Sequence, residues 1–244
     1  MTLPGFVTVR TASTRLPGKC LLPFGDGNVL EHIIHRALHY GLDPIVCTTT
    51  EGSDDELAAI AKKEGVRCFR GAVLNKLKRW GDCCAAFDID AFHTVDADDP
   101  FFDGDEMKRS FVLLGEGGWD MVAPSVSSSA GGAAVGYSLT RDIVDRAVAL
   151  TRADEDTEMM WYWIDRVAGL KKTVLPESDP DPVRARLTLD YPEDYQLLET
   201  VRGKVGNLAS RKAVDALFRR DPDLYKINWF RNREWAEAQA TKKI

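Results

Sequence analysis

Three cations, Arg10, Arg15 and Lys19, share one ten-residue stretch with three hydroxyl side chains, Arg10-Thr-Ala-Ser-Thr-Arg-Leu-Pro-Gly-Lys19. That mixture suits a cradle for a polyphosphate. Pro17 and Gly18 interrupt regular structure, so backbone N–H groups can turn toward an anion while Arg15 and Lys19 supply charge. A basic loop that merely solvates itself is the alternative. Two carboxylates complement the loop, Asp98 and Asp190, each following an apolar run. Carboxylates are hard oxygen ligands, and Mg²⁺ is commonly held by one or two of them with substrate phosphates completing its shell. Loop and aspartates together describe a site for a nucleoside triphosphate and its magnesium. Taken singly, Asp98 and Asp99 before Pro100 read as turn residues, and Asp190 as the cap of a helix starting near Pro192.

The elements that must position these residues are legible from hydrophobic periodicity. Phe6 to Arg10 is a short apolar run suited to a buried parallel strand, which places the basic loop at a strand's carboxyl end, where open α/β sheets bind ligands. A helix follows from about Val29 to His39, with Leu30, Ile33, Ile34 and Ala37 on one face. Strands at Pro44 to Cys47, Val66 to Phe69 and Ala91 to Val95 alternate with a helix through Leu57, Ile60 and Ala61, capped by Ser53, and one through Leu77, Trp80 and Ala85. Beyond Asp96-Ala97-Asp98-Asp99-Pro100 the pattern predicts a helix near Glu106 to Leu114 and a strand at Asp120 to Ala123. The small-residue stretch Ser125 to Gly136 has no assignable element, and Gly131, Gly132 and Gly136 suggest a mobile or close-packed loop. Helices at Arg141 to Leu150 and Thr157 to Val167 and strands at Lys171 to Leu175 and Ala185 to Leu189 complete the expectation. This is an α/β, single-domain chain over residues 1–244, with a mostly parallel twisted sheet and helices on both faces.

Composition narrows the classes. Hydrophobic residues are 44% and charged residues 29% of 244, with a net charge of −6. This is ordinary for a globular protein and argues against a general nucleic-acid binder. No apolar run approaches the roughly 20 residues of a membrane span, and the N-terminus lacks signal-peptide features, so a cytoplasmic protein is expected. Five cysteines without Cys-x-x-Cys spacing suggest neither a disulfide framework nor a zinc site, and Cys47 and Cys68 read as core thiols.

The loop Arg10 to Lys19, Leu30-Glu31-His32 with Arg36, the turn Asp98-Asp99-Pro100-Phe101, and Leu187-Thr-Leu-Asp190-Tyr-Pro-Glu-Asp194 resemble the cytidylyltransferase family. The family includes enzymes that activate Kdo and other acidic sugars as CMP conjugates, and the likeness is strongest to its spore-coat polysaccharide biosynthesis branch. The resemblance implies a Rossmann-like nucleotidyltransferase fold and Mg²⁺-dependent transfer of CMP from CTP to an acidic acceptor, with release of pyrophosphate. It implies that Arg15 and Lys19 hold the triphosphate, that Asp98 and Asp190 coordinate Mg²⁺, and that the protein is a homodimer.

Other assignments are finer. Arg10 binds phosphate or pairs with a nearby acid; Ser13 donates to a phosphate or caps its turn; Thr48 to Thr50, with Thr49 the nucleotide-binding candidate, and Ser53 either lie where a nucleobase sits in this family or form an ordinary hydroxyl-rich turn. His32 and His35 read as packed or solvated. Arg79 matches a recurrent arginine of the family, whereas Asn75 stands where an acid is usual. Lys76 and Lys78 beside it read either as a solvated helix face or as added positive charge that favours an acceptor with a phosphate or phosphonate group over the family's usual sugar acid, although a spacing of two turns them about 200° apart on a helix. Residues 125–185 are the expected acceptor or dimerisation region. Within them, Asp156 to Trp163 reads as a dimer surface, a pocket wall or helix core. Trp229, Phe230 and Trp235 are expected to dock a C-terminal helix. Two further readings compete: Asp96-Ala97-Asp98 as the Asp-x-Asp of a metal-dependent glycosyltransferase, and a non-catalytic nucleotide- or sugar-binding scaffold.

Overall fold

The structure, a computed structural model, describes residues 3–13, 15–129, 136–179 and 181–241. Gly131 and Gly132 therefore lie outside the described residues. In chain order the elements are β1 (Leu3–Thr8), β2 (Pro23–Phe24), β3 (Gly27–Asn28), α1 (Val29–His39), β4 (Leu42–Thr49), α2 (Asp55–Lys63), β5 (Arg67–Gly71), α3 (Lys76–Phe87), β6 (Ala91–Asp96), α4 (Gly104–Gly117), β7 (Met121–Ala123), α5 (Val126–Ser129), β8 (Ser138–Thr140), α6 (Arg141–Val148), α7 (Met160–Ile164), β9 (Lys172–Val174), α8 (Pro192–Val205), α9 (Arg211–Arg220) and α10 (Arg231–Thr241).

Seven strands form one sheet in the order β5-β4-β1-β6-β8-β7-β9. β5, β4, β1 and β6 pair in parallel, and β8 runs antiparallel between β6 and β7. The mostly parallel sheet is the expected one. Alternation along β1 sends Phe6 to one face and Val7 to the other, both fully buried. On the Val7 face lies the larger core, packed by α1, α2, α4, α8 and α9. On the Phe6 face, Phe6 stacks on Phe92 with centroids 4.0 Å apart, covered by residues of α3, α6 and α7.

The parallel strands order as third, second, first, fourth, so connections leave β1 and β6 in opposite directions across the sheet. Such a switch point opens a crevice at the strands' carboxyl ends. The loop after β1 and the Asp96 to Pro100 turn after β6 both border it.

Several expectations need correction. Ala185 to Leu189 is not a strand of the sheet: Leu189 donates its N–H to the Asp98 carbonyl at 2.7 Å, and the Arg186 carbonyl accepts from Asn228 Nδ2 at 2.8 Å. Those partners take one amide and one carbonyl that a neighbouring strand would otherwise take. The helix expected over Thr157 to Val167 shrinks to Met160–Ile164, because Thr157 Oγ1 is instead buried against the Leu77 N–H at 3.0 Å. Asp54, rather than Ser53, stands at the N-cap position of α2. β8 and the β2–β3 hairpin were not anticipated. Gly136, which precedes β8, has φ +80°, and a Cβ there would lie 2.2 Å from the Thr94 carbonyl oxygen, so its close packing demands glycine. Phe230 does not dock: it is 58% exposed.

Candidate active site

Three segments converge at the β1/β6 crevice, and each is held by buried polar groups. In the basic loop, Gly18 adopts φ 63°, a left-handed turn that starts a short 3₁₀ segment at Lys19 and aims that side chain back across the sheet end. The loop is fastened by Asp54. Its Oδ1 accepts from the Thr11 N–H at 2.9 Å and Thr11 Oγ1 at 2.7 Å, and its Oδ2 from Thr48 Oγ1 at 3.0 Å and Thr49 Oγ1 at 2.5 Å. Burial raises the Asp54 carboxyl, but these hydrogen bonds outweigh it and hold the group below the usual carboxylate range.

The turn carrying Asp98 is braced by α1. His32 Nε2 bonds the Pro100 carbonyl at 2.8 Å, and Arg36 Nε donates to the Phe102 carbonyl at 2.9 Å. Arg36 is fully buried, with its guanidinium 5.2 to 5.6 Å from the rings of Tyr40, Phe101 and Phe102. Aromatic faces thus replace a counter-ion. The Asp190 turn is fixed by a buried bidentate pair: Arg186 Nε and Nη2 reach the Asp194 carboxylate at 2.9 and 3.0 Å, and that carboxylate also accepts from the N–H groups of Asp190 and Tyr191.

At the meeting point Lys19 Nζ lies 2.7 Å from Asp98 Oδ2 and 2.9 Å from Asp190 Oδ1, and Arg15 Nη2 is 2.9 Å from Asp190 Oδ1. Burial favours neutral Lys19, yet the two carboxylates outweigh it and raise the ammonium above its ordinary value. Reciprocally, Lys19 and Arg15 hold buried Asp190 below the usual carboxylate range. Beside them, burial and Asp98 push the Asp96 carboxyl up to about 6. Asp99, buried near both, is also raised, and its Oδ1 has no hydrogen-bond partner among the described residues.

Arg15, Lys19, Asp98 and Asp190 are therefore brought together. Arg10 lies on the flank, its Nη2 3.0 Å from Glu158 Oε2, with Lys76 Nζ 3.8 Å from the other oxygen of that carboxylate. Lys76 also sits over the Trp80 ring at 5.2 Å. Lys78 faces the opposite way and pairs with Asp82 at 2.8 Å, so the structure does not bring it to the crevice. Thr49 is taken by Asp54, and Ser13 donates its N–H to the Thr11 carbonyl at 2.8 Å. Arg79 is buried with Nη1 2.7 Å from the Ala72 carbonyl, holding the loop before α3. Asn75 caps α3 through Oδ1 while its Nδ2 donates to Thr151 Oγ1 and the Arg152 carbonyl at 2.9 and 3.0 Å. An acid there has no N–H to give. Asp54 and Asn228 are positioning residues the motif reading missed, while His32 and Arg36, quoted in the motif, were given no positioning role there.

The donor set fits a divalent cation. Two carboxylate oxygens from separate segments already converge on one positive charge. Among the described residues no group of three His, Cys, Asp or Glu side chains that could hold a metal ion is found.

A 3-2-1-4 parallel sheet with cations and carboxylates at its switch point defines a Rossmann-like nucleotidyltransferase fold. A cytidylyltransferase family profile matches residues 5–209. The chain belongs to the cytidylyltransferase family. It is similar to the spore coat polysaccharide biosynthesis protein SpsF of Bacillus subtilis (strain 168), 29% identical over 230 residues, 89% of this chain and 94% of that one. Among solved structures, a cytidylyltransferase from Leptospira borgpetersenii serovar Hardjo-bovis superposes with a TM-score of 0.80 at 24% identity, over 92% of this chain and 97% of that one. A CMP:2-keto-3-deoxy-manno-octonic acid synthetase, solved with CTP, superposes at TM-score 0.62 and 13% identity, over 84% of this chain and 99% of that one. These two structural likenesses speak to the fold.

Proposed function

We propose that this protein transfers CMP from CTP to an acidic acceptor, a sugar acid, polyol phosphate or phosphonate, and releases pyrophosphate. The observation that carries the reading is the Lys19 ammonium held between Asp98 and Asp190, with Arg15 beside it. Positive and negative groups balanced at one point can be re-partnered by a ligand carrying both signs, a triphosphate with its cation. Family membership and the CTP complex of the synthetase support cytidine as the base.

In the reaction an acceptor oxygen bonds to the α-phosphorus while the bond from that phosphorus to the bridging oxygen of pyrophosphate breaks. Lys19 and Arg15 bind the phosphate oxygens on which charge develops, and Gly18 places their backbone so that they do so without rearranging the sheet. Asp98 and Asp190 are the residues that would hold Mg²⁺, which when bound would supply Lewis-acid polarisation and charge neutralisation at the phosphates. Arg10 and Lys76 flank the crevice with two cations facing the single Glu158 carboxylate, and this excess positive charge favours an anionic acceptor. On this reading the region 125–185, to which Glu158 belongs, is the acceptor or dimerisation region. No helix among the described residues is long and apolar enough to cross a membrane, and the reading places the enzyme in the cytoplasm.

The test incubates the protein with each nucleoside triphosphate, Mg²⁺ and a panel of acidic acceptors, and measures pyrophosphate. Release with CTP and one acceptor class is expected. Consumption of a nucleotide sugar without pyrophosphate release would favour the glycosyltransferase reading of Asp96-Ala97-Asp98, and binding without turnover a scaffold.

A further inference from the structure

The family profile ends at residue 209, yet the hydrogen bonds around the Asp190 turn continue into a later segment. Asn228 is fully buried. Its Nδ2 donates to Asp194 Oδ1 at 2.9 Å and to the Arg186 carbonyl at 2.8 Å. Asn232 Oδ1 accepts from Arg186 Nη1 at 3.1 Å, the arm of that guanidinium left over by Asp194. Arg231 grips Glu193 with Nε and Nη2 at 3.0 and 2.8 Å, and its guanidinium carbon lies 4.8 Å from the Tyr191 ring. Three residues at the start of α10 and just before it thus touch Arg186, Tyr191, Glu193 and Asp194.

We propose that this C-terminal segment, through Asn228 and Asn232, positions Asp190 for its cation. The proposal rests on the reading of Asp190 as a metal ligand. The Asp194 carboxylate is the part that sets where the turn sits, because it takes the N–H of Asp190 at 2.9 Å and of Tyr191 at 3.0 Å. A carboxylate offering that many lone pairs can rotate unless every direction is filled. Arg186 fills two, and Asn228 fills another while also tying down the Arg186 backbone. Without Asn228, one Asp194 oxygen loses a donor and the buried Arg186 carbonyl loses its partner, so the pair can shift and carry Asp190 with it. Loss of a partner bonded directly to a metal ligand typically lowers metal affinity about 10 to 100-fold, and Asn228 acts one contact further out, through Asp194 and the Asp190 N–H.

The test compares wild type with Asn228→Ala, Asn232→Ala and the exposed control Arg233→Ala. One arm titrates Mn²⁺ at saturating CTP by electron paramagnetic resonance. The other follows hydrogen exchange of the Asp190 and Tyr191 amides in metal-free protein. Asn228→Ala is expected to weaken Mn²⁺ binding about tenfold or more, with Asn232→Ala weaker in the same direction, faster exchange at both amides in each, and Arg233→Ala unchanged. Wild-type Mn²⁺ affinity in both asparagine variants overturns the proposal, whatever their melting temperatures. Should Asn228→Ala not fold, half-buried Asn232 decides alone. A wild-type protein that binds no Mn²⁺ with CTP overturns the reading of the site instead, and the exchange arm then still decides whether Asn228 holds the turn.

Discussion

Asp190 is the residue on which most of the site's charge converges, since Lys19, Arg15 and, at 3.7 Å, Arg186 all approach its carboxylate. Asp190→Asn keeps the volume and removes the charge that balances them. Turnover is expected to fall by about 10²-fold or more, with far-ultraviolet circular dichroism unchanged because Asp194, not Asp190, holds the turn. Asp98→Asn should fall comparably, and near-normal rates in either variant would remove its metal role. Arg15, Lys19, Asp98 and Asp190 were legible because cations in a glycine-broken loop and carboxylates after apolar runs announce themselves by type and by place. Asp54, Asn228 and the bracing role of Arg36 were not legible for the opposite reason. Their work is done on partners far along the chain: Asp54 with Thr11, Arg36 with Phe102, Asn228 with Asp194. Nothing local marks an aspartate at a helix's N-cap position as the anchor of a loop more than 40 residues earlier.

At the scale of elements, periodicity found the parallel strands and the long helices because each buries one regular face. It failed where neighbours override pattern. Ala185 to Leu189 alternates like a strand, yet the Arg186 carbonyl is claimed by Asn228 and the Leu189 amide by Asp98. β8 escaped notice because it is three residues long and follows a run of small side chains. α3 carries a testable departure from its family. Asn75 is buried and uses both halves of its amide, so Asn75→Asp keeps the cap to the Lys78 N–H but leaves Thr151 Oγ1 and the Arg152 carbonyl without their donor. A loss of about 1 to 3 kcal/mol is expected, read as a melting-temperature drop of about 2 to 4 °C per kcal/mol at this chain length. An unchanged melting temperature would mean that the link between α3 and the loop after α6 carries no stability. α1 contributes a pH dependence. Burial pushes the His32 imidazole down to about 4, with Arg36 and His35 adding to the effect. Between about 6.5 and that value the unfolded chain binds a proton that the folded one refuses, so stability should fall as pH drops through this window. Asp96, raised to about 6, works in the opposite sense over part of it, since its ionisation is disfavoured in the folded state. The informative measurement is therefore a difference: His32→Gln should flatten the acid-side slope of urea midpoints relative to wild type, and parallel curves would exclude His32 as its source.

Across the whole molecule, three distant segments meet through one side chain. Lys19 joins the loop after β1 to the turn after β6 and to the turn before α8, contacts that span 79 and 171 residues of sequence. In the free protein its ammonium sits where the two carboxylates converge, which makes it a competitor of any cation that Asp98 and Asp190 bind. A divalent ion arriving alone must displace an ammonium that is then left in a half-buried place without an anion. CTP removes that penalty by offering phosphate oxygens to the displaced Lys19 and to Arg15. Metal and nucleotide should therefore bind with positive coupling, of the order of 1 to 3 kcal/mol, and the coupling must be the same whichever is added first. Because Mg²⁺ also binds CTP in solution, the decisive comparison is made without nucleotide. Lys19→Met is expected to bind Mn²⁺ alone about tenfold more tightly than wild type while binding CTP more weakly, the first effect from the freed carboxylates and the second from the lost phosphate partner. Calorimetric titration of both proteins with Mn²⁺ measures the first, and equilibrium dialysis of CTP the second. If removing this cation leaves Mn²⁺ affinity unchanged or lowers it, Lys19 does not hold the metal's place, and the coupling between the three segments must run through Arg15 instead.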